Sequence, residues 1–540
     1  MQNNKRPGRL IATALALAVG VTPVAANNAP LSANDWLTGT AAAPGASSAW
    51  RPGDPVPADA QALRPVKRPP QSSAAKSDPP DVATTAATVP VGVRRLDAAD
   101  ADGTGIISAR QAGLPRDFWK GTDLETALRM IRFEPLLPAS ADLARRVIEA
   151  QLPPPESNGE ARPGDFFLAR VDHLTEDGAL PSAQALLQAS GASDPESFQR
   201  LFDIAMLTDG EDRICHRMDA EPGITRMQAA RIFCLAYSGD WSAAALLYRG
   251  AGRLGLIEPG MTDLLGFYLD DSATDGASSL PQPDFDNMTP LAFRLYEAVG
   301  QPLPTGDLPN AYAWSDLDDR SGWKAQLEAA ERLSRAGVLP ASTLHRLYTL
   351  QRPAASGGVW ERAAAIQALD AALLTGDGDR IGPALQSAFH QMEAVGLRDG
   401  LAAMEAERLD LSVLTGDAAR LALWLRLWEG ETETPAVPEN QLDAALLALA
   451  SGGQPGPHSP VLGALAPVFS TELPNGAASG GGAIAPALFG ALADADAGSQ
   501  GDVTRAARGV ATLRQLGLIA DARRVATQIA LDPIFRDVAK

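Results

Sequence analysis

Leu374-Thr375-Gly376-Asp377 interrupts an apolar run, and the same phrase returns as Leu414-Thr415-Gly416-Asp417 and, varied, as Tyr237-Ser238-Gly239-Asp240. In each, an apolar helical stretch ends at a glycine, which accepts the left-handed conformation of a helix C-terminus. The Asp that follows reads as the N-cap of the next helix, its carboxylate placed to accept from free backbone N–H groups. A turn of two or three residues leaves no room for a crossover, so each phrase marks an antiparallel helical hairpin. One hairpin cannot bury both of its faces, and stacking hairpins solves that problem. The expected fold is all-α, a superhelical stack of antiparallel helix pairs (an α-solenoid with degenerate repeats). The last two phrases lie 40 residues apart, but the spacing to the first is irregular, so no strict repeat period holds.

Other start and stop signals agree. Thr122-Asp123-Leu124-Glu125 reads as a capping box. Asp194-Pro195 and Thr289-Pro290 each place a capping side chain before a proline at the first helical position. Gly300, Gly337 and Gly376 sit where helices should stop. Leu421, Leu423, Leu425 and Leu427 alternate as in a strand, while Leu421, Trp424, Leu425 and Trp428 keep helical spacing. The Asp417-Ala418-Ala419-Arg420 start favours helix.

The N-terminus has a different character. Lys5, Arg6 and Arg9 precede an apolar core from Leu10 to Val21, and Val24-Ala25-Ala26 offers small residues before a cut at Asn27. This three-part pattern is that of a secretory signal peptide, and its core is too short to span roughly 30 Å of hydrocarbon. The expectation is export to the periplasm, with no membrane insertion after cleavage. Residues 27–95, rich in Pro, Ala and Ser, hold no periodic apolar pattern and read as a disordered tether. The helical array is expected over 96–450, a flexible Gly/Pro-rich insertion over 451–483, and the array's last helices over 484–540.

Composition supports this reading. The apolar residues are mostly Ala and Leu, with aromatics at 5%, a mix that favours helices because these side chains lose little freedom there. The formal charge is −19, and loss of three basic residues with the leader takes it to −22. Such a surface repels phosphate backbones, so nucleic acid is excluded as an expected partner.

Only two cysteines occur, Cys215 and Cys234. In an oxidising compartment an even pair reads as one disulfide. Glu221-Pro222-Gly223 forms a turn near their midpoint, and Thr225 is expected to cap the helix carrying Cys234. Antiparallel helices would then bring the two sulfurs level, for a stabilisation of about 3 kcal/mol. With no Cys-x-x-Cys, the expected role is structural.

Asp100 to Gln111 resembles an EF-hand calcium loop, with oxygen ligands at Asp100, Asp102, Thr104 and Ser108, Gly105 at the turn and Ile107 at the apolar position. Gln111 stands where that family uses a bidentate Glu, so any site would be a weak calcium site. The alternative is an Asp/Gly-rich turn ending the tether. His173, His216, His345, His390 and His458 are scattered, with no pair at metal-ligand spacing within a helix. No nucleophile elbow, phosphate loop or dinucleotide fingerprint occurs, and no cofactor beyond weak calcium is expected.

Leu114-Pro115-Arg116-Asp117-Phe118-Trp119-Lys120-Gly121-Thr122, with Phe233-Cys234-Leu235-Ala236 and Gly239-Asp240-Trp241, resembles exported proteobacterial α-helical-repeat proteins of a degenerate tetratricopeptide-like kind, to which no activity is assigned. The resemblance runs from about residue 96 to the C-terminus and implies architecture and export, but no catalytic residues. An exported helical stack also looks like the helical modules of periplasmic cell-wall regulators and soluble lytic transglycosylases, whose catalytic domain has no counterpart here. The expected function is a non-catalytic scaffold for another envelope protein. Two alternatives stand beside it: a cell-wall or glycan-processing enzyme with a carboxylate site in the groove, and a calcium-dependent regulator.

Overall fold

Asp194 accepts from the backbone N–H groups of Glu196 and Ser197, and from it the Pro195–Leu207 helix starts. Thr289 does the same for Ala292 at the head of Pro290–Ala298. Gly300, Gly337 and Gly376 take φ of +83°, +65° and +65° just past helix ends. The computed structural model describes residues 101–157, 162–269, 280–433, 438–470 and 483–538. The expected signal peptide and the whole of the expected tether, residues 1–95, lie outside the described residues. Within them the fold is all-α, and strand pairing is limited to a two-residue parallel pair, Ile107–Ser108 with Ala150–Gln151, and an isolated parallel bridge between Asp123 and Glu156. No helix among the described residues is long and apolar enough to cross a membrane.

Sequence neighbours pack in pairs. Val359–Leu373 lies on Gly378–Glu393, Gln228–Tyr237 on Trp241–Arg253, and Ile484–Ser499 on Val503–Gln515. The last pair approaches closely at one glycine. A Cβ on Gly509 would sit 2.6 Å from the Ala491 carbonyl oxygen, so only glycine permits that contact.

Two of the three hairpin phrases behave as read. Asp240 caps Trp241–Arg253 and Asp377 caps Gly378–Glu393. The third does not. Helix Arg398–Glu405 and the short 3-10 turn Ala406–Arg408 end well before Gly416, which opens Gly416–Glu429 with Thr415 as N-cap. Between them the chain runs against Gly378, where any Cβ would overlap the Val413 carbonyl. The capping box is likewise shifted by one residue, since Asp123 accepts from Thr126 N–H at 2.9 Å and is the cap.

The mixed pattern at Leu421–Trp428 has a simple cause. Gly416–Glu429 is covered by Gly378–Glu393, Arg398–Glu405, Gln441–Ser451 and Ile519–Val538. With neighbours on several sides, consecutive residues Leu421 to Leu425 are all buried and no single-face periodicity survives. The stretch 451–483, expected to be a flexible insertion, is corrected in part. It contains the helix Pro460–Ser470, whose Leu462, Leu465 and Phe469 are buried against Val503–Gln515 and Ile519–Val538. Pro at the first position and apolar side chains at i, i+3 and i+7 explain it.

The array also closes on itself. Ile519–Val538, the last helix described, packs on Pro138–Glu149 near the start. Gln528 Oε1 accepts from Ala139 N–H at 2.9 Å while its Nε2 donates to the Trp428 carbonyl at 3.0 Å. Arg524 Nη1 reaches Asp142 at 2.6 Å, and Arg146 pairs with Asp521. Seven consecutive residues of this helix, Val525 to Leu531, are buried.

Candidate functional site

A cavity of about 380 Å³ lies between Phe133–Leu136, the helices Pro138–Glu149 and Asp165–Glu176, the C-terminal end of Trp323–Arg335, and Asp399. Its wall carries Glu134, Asp142, Arg145, His173, Asp177 and Asp399. Arg145 donates to the Gly337 carbonyl at 2.7 Å and the Ala336 carbonyl at 3.2 Å, so it satisfies the last carbonyls of a neighbouring helix. Asp142 is held by Arg524. Buried His173 stands 3.4 Å from Asp177.

Two of these carboxyls, Asp177 and Asp399, hold protons more tightly than usual. Burial raises the Asp177 pKa against the opposing pull of His173 and Arg145, with Glu134 adding to the rise. Burial also raises Asp399, which accepts from Trp428 Nε1 at 2.8 Å. Just behind it, burial pushes Glu429 up to about 7, with Asp399 and Asp142 adding and Arg524, 3.9 Å away, opposing. Desolvation disfavours the charged form, and carboxylates facing one another reinforce that. A carboxyl raised in this way is a better proton donor than a free one, and such perturbation in a cavity marks a candidate site.

The Glu429 shift has a measurable consequence. Its folded pKa lies above the unfolded value, so its stabilisation is full below about pH 4.5 and is lost as pH rises through about 7. Glu429→Gln is expected to remove this decline, which is on the order of 1–3 kcal/mol after allowing for partial solvent exposure. Urea denaturation at about pH 5 and about pH 7.5 measures it; equal pH slopes for both proteins would refute the assignment.

The residues singled out in the sequence fall elsewhere. Cys215 and Cys234 are joined as a disulfide, both buried, with Cα atoms 5.1 Å apart on packed helices Glu211–Ala220 and Gln228–Tyr237. Thr225 does not cap the second helix; its hydroxyl accepts from Met227 N–H one turn earlier. Of the calcium-loop residues, Asp100 lies outside the described residues. Asp102 Oδ2 and Oδ1 accept from Gly164 N–H at 2.9 Å and Phe167 N–H at 2.8 Å, at the head of Asp165–Glu176. Gln111 Oε1 accepts from the Ser108 amide and hydroxyl. The carbonyl of Thr104 accepts from buried Arg170, which also holds the Ile148 and Ala150 carbonyls. The loop thus serves as a helix-capping turn, tied to the chain around Ala150.

Sequence reasoning missed the cavity carboxyls Asp142, Asp177 and Asp399, and Glu429 behind them, because they come from separate segments of the chain at ordinary surface-like spacings. No family model, curated protein or solved structure matches this chain.

Proposed function

We propose that this protein is a periplasmic, non-catalytic helical scaffold that docks another envelope protein through the outer face of Trp241–Arg253 and its flanks. The observation that carries this is an uncovered apolar face. Tyr237, Trp241, Leu246, Leu254 and Leu256 are all exposed, Leu246 by 74% and Leu254 by 73%, while only Ala244 and Ala251 of this helix are buried. Isolated exposed apolar residues are ordinary, but here five fall within twenty residues, beside exposed Arg249 and Arg253. Trp, Tyr and Arg are the side chains that dominate protein interfaces. In a chain of net charge −19, a face whose helix carries two Arg and no acid suits a partner with an apolar centre and an acidic rim. The export-type N-terminus supports the compartment.

Leu246→Glu combined with Leu254→Glu tests this. Both side chains are solvent-facing, so stability is expected to stay within about 0.5 kcal/mol. Cross-linking in envelope extract should capture a partner with the wild type and lose it with the double variant. Equal capture by both would remove this face from the proposal, and no captured protein would remove the scaffold reading.

A second reading, a glycan-processing enzyme, draws on the protonatable carboxyls of the cavity, where Asp399 is met by a tryptophan N–H and not by a cation within ion-pair distance. Carboxyl pairs with one member protonated are what glycoside hydrolysis requires. Failure of the purified protein to release soluble fragments from cell-wall glycan would end it.

A further inference from the structure

Three side chains from three helices converge on one point away from the cavity. His345 lies on Ala341–Thr349, Asp370 on Val359–Leu373, and Glu405 at the end of Arg398–Glu405. Their ligand atoms all lie within 4.8 Å of one another. His345 Nε2 is 3.0 Å from Asp370 Oδ2 and 4.0 Å from Glu405 Oε1. Ligands held at about 2.0–2.1 Å around a tetrahedral zinc ion stand roughly 3.3 Å apart, so the two His345 separations need adjustments of some tenths of an ångström, and the widest pair must close by up to about 1.5 Å.

A second observation is independent of the clustering. Glu405 is fully buried, and its Oε1 has no hydrogen-bond partner among the described residues. A buried carboxylate oxygen without a donor carries its full desolvation cost. The neighbouring cation does not reach it. Arg408 donates to Glu405 Oε2 at 2.8 Å and to Asp370 Oδ1 at 2.6 Å, taking one oxygen of each carboxylate. It also approaches His345 Nε2 at 3.1 Å, the atom a metal would need. Arg408 sits on the short 3-10 turn, and its side chain is 37% exposed, so it can swing outward.

We propose that His345, Asp370 and Glu405 form a divalent transition-metal site, with Zn²⁺ as the fitting ion, and that Arg408 guards it as a displaceable organic cation. One imidazole nitrogen and two carboxylate oxygens suit zinc, and three protein ligands leave a fourth position for water. His345 Nε2, Asp370 Oδ2 and Glu405 Oε1 are the ligand atoms. Metal entry breaks the Arg408–His345 contact and supplies the missing partner of Glu405 Oε1.

Titration calorimetry of the full chain with ZnCl₂ tests the site, followed by Co²⁺ substitution to read visible d–d bands from the bound ion. The expected result is one ion per chain in the wild type. His345→Gln should weaken it by more than the roughly 10–100-fold that loss of an outer-shell partner costs. Arg408→Gln removes the competing cation and should tighten it by about tenfold or more, a gain that misfolding cannot mimic. No one-to-one binding in either wild type or Arg408→Gln overturns the proposal. Binding unchanged in His345→Gln overturns it as well, since the ion would then sit elsewhere.

Discussion

Phe535→Ala is expected to cost about 3–5 kcal/mol, the range for truncating a buried aromatic. Phe535 is wholly inaccessible to solvent near the C-terminal end of Ile519–Val538. Its ring lies 5.5 Å from Phe389, 6.2 Å from Trp424 and 5.5 Å from Trp428, with the Arg398 guanidinium 4.7 Å from its centre. The side chain thus joins Gly378–Glu393, Gly416–Glu429 and the terminal helix at one point. Those rings are held by separate backbones and cannot all collapse inward, so the lost contacts and the cavity add. Guanidinium denaturation of the wild type and variant measures the cost. A loss below about 1 kcal/mol would show that the terminal helix is not a keystone of closure.

Glu331→Ala should be comparably damaging, at about 3–5 kcal/mol, for an electrostatic reason. Glu331 is 1% exposed and accepts from Arg362 Nε and Nη2, each at 2.7 Å, and from the Tyr348 hydroxyl at 2.9 Å. Removing the carboxylate leaves a guanidinium and a phenol buried without their acceptor. The ion pair itself contributes little net stability, because both charges had to be desolvated to form it. The double variant Glu331→Leu with Arg362→Met should therefore recover much of the loss. If the two losses simply add, the unpaired-charge explanation fails.

Local signals were legible because their physics is local. The caps at Asp194, Asp240, Thr289 and Asp377 bond to amides two or three residues away, and Gly300, Gly337 and Gly376 satisfy a backbone angle of their own. The disulfide could be read because a turn near the midpoint of two helices sets their register. The third hairpin phrase misled because Leu414-Thr415-Gly416-Asp417 has the right letters but follows a loop, which only packing against Gly378 reveals. The Pro460–Ser470 helix was hidden by the Gly and Pro around it.

What the amino-acid order determined alone is the class of fold, the positions of most helix ends and the pairing of neighbours, since each depends on interactions within a turn or one hairpin. Only the tertiary structure decided the closure, in which Gln528 bonds to Ala139 across 389 residues, the placing of Asp177 and Asp399 on the wall of one cavity, and the meeting of His345 with Asp370 and Glu405. Apart from His345 with Asp370, which lie on consecutive helices, these residues come from helices with no short connection between them. No periodicity or capping rule carries information over that distance; the packing of the whole core does.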